Sequence, residues 1–359
     1  MKKTIVFLGG YVNVTNAQNL NCRSIAHYLD KNKFEVISMS VYSGKLTPLH
    51  SEGVKIINCF YPLKISSYIA YFKGIIFSDI VYLPKSSIPF FVFPLLRLLR
   101  KKSFVTVEGV FDKTNLEKII NQFSSSRSIQ KYFSSFTETF SITSFMIKKN
   151  YESLKIKSNK VPLYLGVNCS DFSPFPKDKL TDITIIASNL FYKGYKDYFY
   201  LASKFPNLNF HIVGSGNSLI SIENEISKRE LNNVVFHKQL NHTELNQLLQ
   251  KVQLQVFPSR SEGFPKVLLE TACAGVPSLV YSDYGASEWM THKKDGFVVE
   301  KIDQMEEVIR ELMQNPNLLK NVSSNAIQLG KSFDWQVKIK DWEKVIINLS
   351  NLQICRSEE

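Results

Sequence analysis

The densest run of chemically capable side chains is Pro258-Ser259-Arg260-Ser261-Glu262-Gly263-Phe264-Pro265-Lys266-Val267-Leu268-Leu269-Glu270. The apolar residues at 254–257 read as a strand, a Gly-bearing turn follows, and Pro265 is expected at the first helical position, where its missing N–H is no loss. The first amides of such a helix lack intrahelical partners and carry the positive end of its dipole, so a diphosphate suits them. Glu262 on the turn and Glu270 on the helix can accept hydrogen bonds from hydroxyls on two separated parts of one ligand, such as a hexose and a ribose. The same spacing also arises without a ligand, with Glu262 favouring the positive helix end and Glu270 facing water.

These residues need a frame, and the hydrophobic pattern supplies one. Short apolar runs at 4–8, 35–41, 55–58, 79–83, 104–107, 140–143 and 161–165 alternate with helical stretches near 17–31 and 90–99. Turn formers break the pattern at Gly166-Val167-Asn168-Cys169-Ser170-Asp171-Phe172-Ser173-Pro174, and the alternation then restarts, with strands at 183–187, 209–213, 234–237, 254–257, 278–281 and 296–299. Strands separated by helices in this rhythm predict parallel sheets covered on both faces. The expected organisation is α/β: a Rossmann-like domain at 1–168, a linker at 169–180, a second at 181–334, and a terminal helix and tail at 335–359.

A length of 359 residues suits two domains, and 44% hydrophobic with 21% charged residues is globular composition. The net charge of +12 comes from the first half: residues 1–175 carry 23 basic and 10 acidic side chains, residues 176–359 carry 21 and 22. A one-sided basic surface suits a polyanion, whether nucleic acid, anionic bilayer or phosphorylated lipid. The cysteines, Cys22, Cys59, Cys169, Cys273 and Cys355, are odd in number and form no C-x-x-C pair, so no disulfide framework is expected and a reducing cytoplasm fits. No run reaches the 18 or so apolar residues of a membrane span. The segment 88–99, ending in Arg100-Lys101-Lys102, is long enough to lie in an interface.

The region from 160 to 300 resembles the donor-binding signature of the family 4 glycosyltransferases, which have the GT-B architecture of two Rossmann-like domains facing across a cleft. The resemblance rests on several pieces in the family's order: the 166–174 segment, Tyr192-Lys193-Gly194, Val213-Gly214-Ser215-Gly216, the E-x7-E run, Gly275-Val276-Pro277, and Ser282-Asp283-Tyr284-Gly285-Ala286-Ser287-Glu288. It implies that Glu262 contacts the donor sugar, Glu270 the ribose and Lys193 the diphosphate. Gly263, Phe264, Pro265 and Lys266 would then bring backbone amides to the donor, with Gly214 beside them. Where the family has an arginine ahead of the lysine, this chain has Ser188 or Asn189, which donate hydrogen bonds without charge. Arg260 is the candidate replacement. On the acceptor side the resemblance points to the turn at Gly9-Gly10, and Glu108 stands where many relatives carry a histidine.

No two aspartates stand two apart and the histidines form no ligand pattern, so a metal-independent enzyme without cofactor is expected. The leading expectation is a retaining, hexosyltransferase-type glycosyltransferase. Its partners would be a nucleotide-sugar donor, a saccharide or lipid-linked saccharide acceptor and an anionic membrane surface, but no nucleic acid. Its place would be the cytoplasm or the inner face of the membrane, where Arg97, Arg100, Lys101 and Lys102 beside Phe90, Phe91, Phe93, Leu95 and Leu96 would hold it. The terminal helix at 335–352 is expected to cross back to the first domain. A sugar-nucleotide epimerase or hydrolase on the same fold remains a second reading, and a basic nucleic-acid-binding protein a third, which leaves Glu262 and Glu270 unexplained.

Overall fold

A computed structural model describes residues 3–42, 53–84, 88–111, 123, 125–214 and 219–354. The chain divides into two units, Met1–Leu165 with Trp335–Glu359, and Gly166–Asp334. In the first, β1 (Thr4–Tyr11), α1 (Ala17–Tyr28), β2 (Phe34–Val41), β3 (Val54–Cys59), α2 (Leu63–Phe77), β4 (Ile80–Tyr82), α3 (Val92–Leu98), β5 (Lys102–Val107), α4 (Ser126–Phe133), β6 (Glu138–Ser141) and α5 (Ser144–Leu154) follow one another. The strands form one parallel sheet in the order β3-β2-β1-β4-β5-β6.

The second unit repeats this plan with β7 (Asp182–Ala187), α6 (Tyr195–Lys204), β8 (Asn209–Gly214), α7 (Leu219–Lys228), β9 (Val234–His237), α8 (His242–Lys251), β10 (Leu254–Phe257), α9 (Lys266–Cys273), β11 (Ser278–Tyr281), β12 (Phe297–Val299), α10 (Ile302–Gln314) and α11 (Pro316–Ser332). Its order, β12-β11-β10-β7-β8-β9, is again wholly parallel. Every residue of β10 and β11 is buried, as expected of strands covered on both faces. In each sheet the order reverses beside the first strand, between β1 and β4 and between β7 and β10. Open α/β sheets bind ligands at the carboxyl ends of such strands.

The last helix, α12 (Trp335–Ile354), belongs to the first unit. Trp342 is fully buried there, stacks edge-on against Tyr82 at 5.3 Å, and donates its indole N–H to the Tyr164 carbonyl at 3.0 Å. Glu343 accepts from the Asp30 amide at 2.9 Å. The terminal helix therefore completes the core of the half of the chain that was made first.

Four sequence expectations change. Residues 161–165 form no strand: Leu163 donates to the Ser141 carbonyl at 3.0 Å, but no ladder continues from it. The pattern also missed α2, because its apolar residues fall on two opposite sides of the helix and no single 3.6-residue stripe stands out against a polar face. Residues 169–180 are part of the second unit. Phe175 donates to Ala274 at 3.3 Å, and the buried Lys177 ammonium caps α8 through the Leu249 and Gln250 carbonyls at 2.9 and 2.8 Å. Burial lowers the pKa of Lys177 to about 8. Finally, Cys169 and Cys273 are joined by a disulfide across 104 residues, with Cα atoms 5.3 Å apart. Counting and local spacing could not reveal a pair that only tertiary folding brings together; Cys22 and Cys59 are buried in the first unit.

Candidate functional site

The second unit's site grows from two loops at the carboxyl ends of β7 and β10. After β7, Ser188 and Asn189 are exposed, and a 3₁₀ turn at Leu190–Lys193 leads to Gly194 in the left-handed region, φ 76°. A Cβ on Gly194 would lie 2.1 Å from the Pro258 carbonyl oxygen. Only glycine lets this turn lie against the loop after β10, and that contact sets the position of the residue before it. The Lys193 ammonium donates to Glu262 Oε1 at 2.6 Å and stands 5.9 Å from the centre of the Phe257 ring. Both side chains are largely shielded, with 24% of Lys193 and 10% of Glu262 exposed, so water screens their charges less than at an open surface.

The rest of the loop is held from several directions. Gly263 lies half-buried in the turn. The ring of Phe264 packs with Trp289 at 5.9 Å and Phe333 at 5.8 Å. Pro265 is the N-cap of α9 and not its first helical residue, with ψ 89°, and Lys266 opens the helix half-buried. The difference is one position, and it arises because the Pro265 backbone has not yet turned helical. Gly214 ends β8, where a Cβ would stand 3.0 Å from Leu190 Cδ1 and press on the side chain that anchors the 3₁₀ turn. Ser215 and Gly216 lie outside the described residues.

Glu270 lies on α9 and keeps part of its surface in water, yet the protein atoms crowded round its carboxyl group raise its pKa. Lys266 and His242 oppose that rise and Asp171 adds to it. The charged form is therefore costly until a ligand donates hydrogen bonds to it. Arg260 does not join Lys193. Its guanidinium stacks 3.9 Å from the centre of the Tyr281 ring and pairs with Asp283 at 2.9 Å, and the Tyr281 hydroxyl donates to Asp197 at 2.7 Å.

One residue that sequence reasoning did not single out stands beside this group. Tyr284, buried in the loop after β11, has a hydroxyl with no hydrogen-bond partner. Burial and the neighbouring charges of Glu262 and Asp283 raise its pKa well above the usual tyrosine value. An unsatisfied buried hydroxyl beside a carboxylate is a donor held ready for a polar ligand. A tyrosine in a loop gives no such signal in a sequence.

The first unit's candidates have a different setting. Gly9 and Gly10 are inside β1 and not in a turn after it. A Cβ would stand 2.5 Å from Leu83 on Gly9 and 2.6 Å from the Cys22 sulfur on Gly10, so close packing accounts for both. Glu108 follows β5 and accepts from Asn21 and Thr106, each at 3.0 Å, while Thr106 is 2.7 Å from the Tyr82 hydroxyl. His237 ends β9, where its Nε2 is 3.0 Å from Nδ1 of His211, whose own Nε2 is 2.8 Å from Asp182. Among the described residues, no group of three or more His, Cys, Asp or Glu is placed to hold a metal.

Residues 170–329, within the second unit, match the family described as Glycosyl transferases group 1. An uncharacterized glycosyltransferase of Haemophilus influenzae is 26% identical over 233 residues, 61% of this chain and 64% of the relative. An N,N'-diacetylbacillosaminyl-diphospho-undecaprenol alpha-1,3-N-acetylgalactosaminyltransferase of Campylobacter jejuni is 27% identical over 220 residues, 55% of this chain and 58% of the relative. The chain thus spans less than two thirds of the length of either. Among solved structures, Anabaena HepE in complex with UDP superposes with a TM-score of 0.75 at 14% identity, over 96% of this chain and 100% of HepE. The chain therefore has the two-domain α/β fold of GT-B proteins.

Proposed function

We propose that the chain is a retaining family 4 glycosyltransferase of hexosyltransferase type, which moves a sugar from a nucleotide-sugar donor to a saccharide or lipid-linked saccharide. The observation that carries this reading is the 2.6 Å pair of Lys193 and Glu262 at the point where the strand order of the second sheet reverses. Lys193 and the first amides of α9 would meet the donor's diphosphate, where negative charge grows as the glycosidic bond breaks. Glu262 would accept from the sugar hydroxyls, and Glu270 from the ribose. Gly263, Phe264, Pro265, Lys266 and Gly214 shape this site, and Tyr284 supplies a further donor. In the reaction the bond from the anomeric carbon to the diphosphate breaks and a bond to the acceptor oxygen forms on the same face. The acceptor's proton passes to the departing diphosphate. Catalysis on this scheme is positioning and electrostatics, with no side-chain nucleophile and no metal.

The relatives support the two substrate classes. HepE is a UDP complex, and the Campylobacter enzyme's name sets its acceptor sugar on diphospho-undecaprenol. An acceptor bound by the first unit would be met by Glu108. Two measurements test the reading. A thermal-shift panel of UDP-, GDP- and ADP-sugars should raise the unfolding temperature with one base, because a ligand bound to the native state stabilises it. NMR of the product should then show the donor's anomeric configuration preserved. Inversion would refute retention, and donor turnover unaffected by any acceptor would favour the hydrolase or epimerase reading.

A further inference from the structure

Helix α2 is apolar on two opposite sides. Ser67, Ala70, Tyr71, Gly74 and Ile75 are buried, and a Cβ on Gly74 would lie 2.3 Å from the Phe7 ring, so that side rests directly on β1. The other side carries Ile65, Ile69, Phe72 and Ile76, spaced so that they form one stripe along the helix. Ile65 is 61% exposed, and Ile69 and Phe72 are also exposed. This stripe does not end in solvent alone. Its Ile69, Phe72 and Ile76, with Phe91 ahead of α3 and Leu95 and Leu98 on it, line a groove of about 700 Å³. At the groove's borders Phe77 is 65% exposed and Leu98 79%. Soluble surfaces seldom leave so much contiguous apolar area uncovered unless something binds it.

The charges around the groove say what that is. Neither α2 nor α3 contains an acid, while Lys64, Lys73, Arg97 and Arg100 are all exposed. From Val54 to Val107 the sequence has one acid, Asp79, and its carboxylate accepts from the Ile5 amide at 2.8 Å on the sheet. Lys101 belongs to the fold, because its ammonium donates to the Ser78 carbonyl after α2. A second copy of the chain would set like charges against each other, and a nucleic acid would leave the groove unfilled. A bilayer with anionic headgroups satisfies both parts, since acyl chains fill the groove and phosphates meet the cations.

We propose that the α2–α3 face is a docking surface for an anionic phospholipid bilayer, with Ile65, Ile69, Phe72 and Leu98 entering the acyl boundary and Lys64, Lys73, Arg97 and Arg100 meeting the headgroups. The surface lies within the first unit and stands whether or not the second unit transfers a sugar. It differs from the sequence expectation, in which 88–99 and its basic end acted without α2.

The full chain should co-sediment with vesicles of phosphatidylcholine and phosphatidylglycerol at least about tenfold more tightly than with phosphatidylcholine alone, and added salt should weaken that binding. Phe72→Glu should weaken it by about tenfold or more, and Lys64→Glu with Lys73→Glu should remove the preference for phosphatidylglycerol. The unfolding temperature of each variant reports whether it folds, and Ile65→Glu tests the same stripe should Phe72→Glu fail to fold. Absence of vesicle binding overturns the proposal, as does binding that Phe72→Glu or Ile65→Glu leaves unchanged. A lipid-free dimer that these variants dissociate, without vesicle binding, would assign the face to a second copy and overturn it too.

Discussion

Lys193 and Glu262 are 69 residues apart in sequence, and their side chains meet at 2.6 Å across two loops that share the Gly194–Pro258 contact. Each is the partner that makes the other's burial tolerable. A donor that binds here must take over part of that bond, with its diphosphate replacing the carboxylate at Lys193 and its hydroxyls replacing the ammonium at Glu262. The two side chains should therefore act as a unit. Lys193→Ala and Glu262→Gln should each lower turnover by about 10²–10³, the effect of deleting one charge-stabilising group. The double variant should lose much less than the product of the two, because residues in contact are not additive. Multiplicative losses in a double-mutant cycle would show that they work separately.

Glu270 tests the cost of holding a carboxylate ready. Its pKa is raised, chiefly by burial, so the folded state binds its proton more readily than the unfolded chain does. The sign for stability follows: above the ordinary carboxylate range the ionised Glu270 destabilises the fold, and that cost disappears as pH falls through the raised value. Glu270→Gln should therefore raise the unfolding temperature at neutral pH while weakening nucleotide-sugar binding by about tenfold or more, as expected for a lost hydrogen bond to a charged group. Thermal unfolding with and without the donor separates the two effects. A variant less stable than the parent, with unchanged donor affinity, would make Glu270 a structural residue.

Gly194 offers a purely geometric test. Its φ of 76° is unfavourable for any residue with a Cβ, and the Cβ itself would collide with the Pro258 carbonyl. Gly194→Ala should cost more than the roughly 1 kcal/mol of the left-handed conformation alone, because the two loops must also move apart. Turnover should fall with it, since the Lys193 ammonium would leave Glu262. Denaturant titration and initial rates measure the two losses, and a variant of unchanged stability would show that the loops can separate freely.

How much of this was legible follows from what each feature depends on. The parallel sheets could be read because strands covered on both faces are written as continuous apolar runs, such as Leu254–Phe257. Glu262 and Glu270 could be singled out from the turn and helix start around them, and Lys193 only through the resemblance of the Tyr192-Lys193-Gly194 segment to the family 4 glycosyltransferases. The partner of Lys193 could not, since a 69-residue separation is invisible without the fold. The same limit hid the Cys169–Cys273 bond and the unpartnered hydroxyl of Tyr284. Helix α2 was missed for a local reason: its apolar residues fall on two opposite sides, so no single stripe stands out, and the outer side is left uncovered.

The last test concerns the chain from Asp182 through His211 to His237, which ties β7, β8 and β9 together. Burial, then repulsion from His211 and Lys251, holds the His237 imidazole below the ordinary histidine value of about 6.5. At Asp182 burial works to raise the pKa, but hydrogen bonds from His211, Thr181 and Asn209 outweigh it and hold the carboxyl below the usual aspartate range. Both groups thus bind protons less readily when folded. Each contributes stability that is complete above its unfolded-state pKa and is lost as pH falls through its folded-state value. The His237 contribution should begin to fail just below pH 6.5, and that of Asp182 only below pH 3.8. His237→Gln should flatten the stability profile in the upper window and leave the lower one in place, whereas Asp182→Asn should do the reverse. Urea titrations across the pH range measure both, and a parent protein whose stability did not decline between neutrality and pH 5 or so would refute the assignment to His237.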